Sequence, residues 1–139
     1  MAQDFRDASK RHWEDAEFLL VNARLANADH LYGLSAECAL KAVMHALGMI
    51  LRSDGVPKEK DHQKHANGIW EECYSFLQKQ GGAHYSAMLG GRDNPFSGWH
   101  VSQRYAHRAD ILPENVHKHQ IAAKTALRIL QEALLRGDV

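Results

Sequence analysis

LYGLSAECALKAVMHALGMIL, residues 31–51, is a long run rich in good helix formers and without a proline. Glu37 and Lys41 stand four residues apart in it, so they share one face of a helix. Around them lie Leu34, Cys38, Ala39, Leu40, Ala42, Val43, Met44, Leu47 and Ile50, which leave little polar surface. A helix apolar nearly all round is central in its bundle. A carboxylate and an ammonium on such a helix need partners, because an uncompensated buried charge is costly. A second stretch, WHVSQRYAHRA at 99–109, offers Arg104, Tyr105 and His107. We expect the two segments to pack together as one polar site, with the Arg104 guanidinium answering the acid and base of the long helix. The competing reading is an exposed pair on a solvated helix face, which adds little to stability.

Helical patterning extends on both sides. Trp13, Ala16, Leu20 and Ala23 fall at helical spacing, which predicts a first helix from a cap at Ser9 to about Ala28. Asp29 is placed to cap the next helix, which ends near Arg52. SDGVPKEKD is loop chemistry, since Asp54-Gly55 favours a turn and Pro57 stops a helix. A third helix is expected from His62 to Gln80, with Ile69, Cys73, Phe76 and Leu77 inside and Gly81-Gly82 as its stop. Residues 83–98 end in a loop-like GGRDNPFSG run. A short helix is expected from Trp99 to before Pro113. The last begins at about Glu114 and runs to Arg136, with Val116, Ala123, Leu127, Leu130 and Leu134 on one side. The reading is all-α: an antiparallel up-and-down bundle of four long helices plus one short helix, in a single domain over residues 1–139.

Composition narrows the function. At 139 residues the chain can bury a core without staples. A formal net charge of zero argues against a protein that coats nucleic acid nonspecifically, but leaves room for a small basic site. No run approaches the roughly 20 apolar residues of a membrane span. The opening MAQDFRDASKRHWED is too charged for a signal peptide, and Cys38 and Cys73 form no CxxC pair, so we expect a cytoplasmic protein with reduced core thiols.

Histidine is the unusual count, at ten. His62 with His65, and His117 with His119, have ligand-like spacing, yet HExxH is absent and we expect no metal site. There is no GxSxG and no Gly-rich phosphate loop, and no cofactor is expected. Arg104 offers a rigid fork for phosphate or carboxylate, Tyr105 a stacking face and hydroxyl, and His107 a group that titrates near neutrality.

These residues resemble the HEPN family (higher eukaryotes and prokaryotes nucleotide-binding). AECALKAVMHALG at 36–48 resembles its central helix, a Glu followed by two residues and Leu-Lys, then an apolar run. His65 with Ile69 and Cys73 resembles the start of its third helix, WHVSQRYAHRADIL at 99–112 its Arg-Tyr segment, and 121–135 its last helix. The resemblance implies a helical bundle that binds a nucleotide or RNA through Glu37, Lys41, Arg104 and Tyr105. It also implies a homodimer and, as partner, a nucleotidyltransferase of a toxin–antitoxin or defence system. Many members are metal-independent ribonucleases with an Arg, four to six residues, then His, late in the chain. Here two residues separate Arg104 from His107, and seven separate Arg92 from His100. Arg6 with His12 and Arg24 with His30 fit the spacing but lie near the N-terminus. The departure favours binding over cleavage.

Two rivals remain. One is a ribonuclease with a displaced site, in which Arg104 stabilises the scissile phosphate and His107 or His100 serves as acid or base. The other is an interaction module without a ligand, using Trp70, Tyr74, Phe76, Phe96 and Trp99 as its contact face.

Overall fold

The structure is a computed structural model that describes residues 1–91 and 93–137. It is an all-helical bundle with four long helices and one short one, and among the described residues no strand forms. The helices are α1 (Phe5–Val21), α2 (Leu25–Ala46), α3 (Ala66–Lys79), α4 (Ala83–Met88) and α5 (Pro113–Leu135).

Asp4 starts α1 by accepting the Asp7 backbone N–H at 3.0 Å, which satisfies one of the helix's orphan donors. The helix stops earlier than its apolar spacing predicts. Ala23 takes a left-handed φ of 58°, and the Arg24 N–H returns to the Leu19 carbonyl at 2.8 Å. Asp29, expected as a cap, therefore lies inside α2 and is buried. α1 and α2 run antiparallel. The Ser35 hydroxyl donates to the Ser9 carbonyl at 2.8 Å, and further along the Trp13 and Tyr32 rings meet at 5.5 Å. The Tyr32 hydroxyl donates to Glu17 at 3.3 Å, while burial pushes its pKa well up.

α2 is the central helix, and everything from Ser35 to Met44 along it is buried. Its face toward the 99–112 segment holds Gly33, where a Cβ would stand 2.0 Å from the Trp99 ring. Only glycine admits the indole there. The third helix forms in two pieces: a 3-10 turn at Lys60–Gln63, then α3, with His65 extended at its N-cap. Ile69, Cys73 and Leu77 form its inner stripe, as their spacing predicts. The expected short helix after Trp99 is instead two 3-10 turns, Val101–Tyr105 and Arg108–Asp110, and the short α-helix is α4.

The proposed aromatic contact face does not exist as drawn. Trp70, Phe96 and Trp99 are core residues, and Tyr74 and Phe76 pack against that core. Both cysteines are free and buried, with burial pushing each thiol up to about 12. Among the described residues no helix is long and apolar enough to cross a membrane.

Candidate functional site

The acid and base of α2 are buried, as their apolar neighbours imply. Glu37 Oε2 and Lys41 Nζ lie 2.9 Å apart, with side chains 9% and 5% exposed. Those exposures exclude the solvated-pair reading. The third partner is His65, not Arg104: His65 Nδ1 lies 3.1 Å from the other Glu37 oxygen. Burial alone would raise the Glu37 pKa, but the His65 hydrogen bond and the Lys41 charge outweigh it and hold the carboxyl below its usual value. Among the described residues Arg104 makes no hydrogen bond or ion pair with Glu37 or Lys41. It sits in the first 3-10 turn with an exposed side chain, and its guanidinium lies 4.9 Å over the Tyr105 ring.

The four candidate binding residues thus fall in two places. Glu37 and Lys41 line a pocket of about 660 Å³ between the start of α1, the 56–57 loop and the head of α3. Arg11 and His65 line it too. Arg104 and Tyr105 stand outside on the turn, and Tyr105 is 78% exposed.

Two histidines lie between these places. His30, two turns of α2 before Glu37, stacks on Trp99 with centroids 5.8 Å apart and planes at 10°. Its charge is sensitive to Arg104 and His65, which disfavour protonation, and to Asp29 and Glu37, which favour it. His12, on α1, feels Glu37 and His30. Each has a buried Nδ1 with no hydrogen-bond partner. Burial holds both pKa values below the ordinary histidine range, helped by Arg11 at His12 and by Arg104 at His30.

The turn that carries Arg104 is anchored from beneath. Asp29 Oδ2 accepts from Gln103 Nε2 at 2.6 Å, and its Oδ1 lies 2.6 Å from His119 Nδ1 on α5. The Asp29 carbonyl accepts from the Trp99 indole at 3.1 Å. One buried acid so ties α2, α5 and the turn together. A rigid base below and exposed side chains above is how binding residues are commonly presented.

The two candidate acid–base histidines serve local structure. His107 Nδ1 accepts the Ala109 backbone N–H at 3.1 Å, and His100 Nδ1 lies 3.3 Å from the Ser102 hydroxyl. Both are exposed. Residue spacing alone did not point to Arg11, Gln103 or the link between Asp29 and His119; His12 and His30 fit an Arg-to-His spacing but lie too near the N-terminus for the late motif. Asp29 did carry a signal, an acid at the head of an apolar helix, but a cap and a buried partner look alike in sequence.

Among the described residues no group of three or more His, Cys, Asp or Glu is placed to hold a metal ion. No protein family, no curated protein and no solved structure matches the chain.

Proposed function

We propose that the protein is a HEPN-like module that binds a nucleotide or single-stranded RNA through Arg104 and Tyr105. The observation that carries this reading is an exposed arginine–tyrosine stack held on an anchored turn. A large aromatic ring left in water beside a cation is a platform on which a base stacks while the guanidinium meets its phosphate. Arg108, exposed on the next turn, adds a second cation. A net charge of zero fits a local contact rather than a tract of backbone contacts.

Fluorescence anisotropy with short labelled single-stranded RNAs tests it. Base stacking on an aromatic side chain contributes about 1–3 kcal/mol, so Tyr105→Ala should weaken binding roughly 5- to 150-fold. Arg104→Ala should weaken it and lower the salt dependence by about one counterion. Undiminished binding by both variants sinks the reading. Chelator-resistant cleavage of the same RNAs, lost in Arg104→Ala and His107→Ala, would favour the displaced ribonuclease instead.

A further inference from the structure

The pocket beside Glu37 is separate from the Arg104–Tyr105 turn and has its own chemistry. Three donors from three elements reach it. Arg11 of α1 is exposed and, among the described residues, makes no hydrogen bond or ion pair. Lys41 of α2 is more than nine-tenths buried, yet among the described residues its only hydrogen bond is to Glu37. Its ammonium also lies 5.5 Å from the Phe5 ring centre, leaving donors unspent. His65 uses Nδ1 on Glu37, and its Nε2 makes no hydrogen bond among the described residues.

The acceptors at the same pocket are mostly engaged. Each Glu37 oxygen already takes one partner, and Asp4 caps α1. Asp7 alone has a carboxylate that takes no hydrogen bond or ion pair among the described residues. Met1, Phe5, Val56 and Pro57 supply apolar wall. The volume, about 660 Å³, is in the range of small-molecule sites.

We propose that this pocket binds a small organic monocarboxylate with an apolar tail. Its carboxylate is held by Arg11, Lys41 and His65, and its tail lies along Phe5 and Pro57. Among anions, the formal charges favour a single negative group. Arg11 and Lys41 against Asp4, Asp7 and Glu37 sum to minus one, so a dianion meets more repulsion than a monoanion, whose carboxylate depends on the unspent donors close by. An alkylammonium would face Arg11 and Lys41 at the same spot.

Isothermal calorimetry of the full chain tests this with hexanoate, hexylamine and inorganic phosphate. Arg11→Gln removes an exposed side chain that supports no packing, so the variant is expected to fold, as circular dichroism checks. Saturable hexanoate binding, weakened at least tenfold in Arg11→Gln and not matched by hexylamine or phosphate, is the expected result. No saturable binding, equal binding by Arg11→Gln, or equal binding of either competitor overturns the proposal. RNA binding by Arg11→Gln should equal that of wild type, so this site and the Arg104–Tyr105 surface stand or fall separately.

Discussion

Lys41 and Arg104 are both cations, but burial gives them opposite consequences. Removing one member of a buried ion pair strands the other, at about 3–5 kcal/mol. Lys41→Met should therefore lose most of that in urea unfolding, because Glu37 keeps only His65. The double variant Glu37→Leu/Lys41→Met should be less destabilised than Lys41→Met alone, since no charge is left behind. Arg104→Ala, on an exposed side chain, should stay within about 0.5 kcal/mol of wild type. Equal losses for Lys41→Met and Arg104→Ala would contradict this picture of the site. A pH dependence follows from His12 and His30. In the unfolded chain a histidine takes up a proton near pH 6.5 (approximately), whereas burial delays protonation of both in the fold. The unfolded state then holds more protons in that interval, so stability falls as pH drops below about 6.5. Glu37, held below its usual value, loses its contribution only at lower pH, as its carboxyl takes up a proton in the fold. Urea midpoints between pH 7.5 and 5.5 (approximate settings around that pKa) should fall for wild type and fall less for His12→Gln/His30→Gln. An unchanged slope in the double variant would place the dependence elsewhere.

At the level of elements, the contact between α2 and the 99–112 segment decides where the exposed pair sits. Gly33 makes that contact possible. Gly33→Ala puts a methyl carbon into a rigid indole ring rather than a flexible chain end, so relief requires moving Trp99 or the helix. Overpacking of this kind costs about 1–3 kcal/mol. Because Trp99 precedes the turn, the variant should also weaken RNA binding although Gly33 touches no ligand. Wild-type stability in thermal unfolding would show that the helix and segment separate easily. The helices themselves were legible from apolar spacing: α2 as the central element, the Ile69–Cys73–Leu77 stripe, and Pro113 at the head of α5. The burial of Glu37 and Lys41 was legible too, because it depends on neighbours within one turn. Their third partner was not. His65 is 28 residues from Glu37, and His119 is 90 residues from Asp29, distances over which helical spacing carries no information. The early end of α1 was hidden for a different reason: alanine at position 23 takes a left-handed φ with no glycine or asparagine to announce it.

Across the whole molecule, one continuous core of helices supports two polar regions with different exposure. The pocket at Glu37 and Lys41 is a partly open recess with one buried ion pair at its wall; the turn at Arg104 and Tyr105 is exposed and held by the Asp29 network. The expectation of one shared site joined the two because a buried acid and base need partners and Arg104 was the cation at hand; His65 takes that place. Binding of RNA belongs to the open region, since a stacked base needs an accessible ring. The most direct test is ultraviolet crosslinking of a short uridine-rich RNA to the protein, followed by mass spectrometry of the crosslinked peptide. The account predicts that the nucleotide is attached to Tyr105 and that Arg104→Ala lowers the yield. Attachment confined to residues outside 99–112, with Tyr105 unmodified, would contradict it.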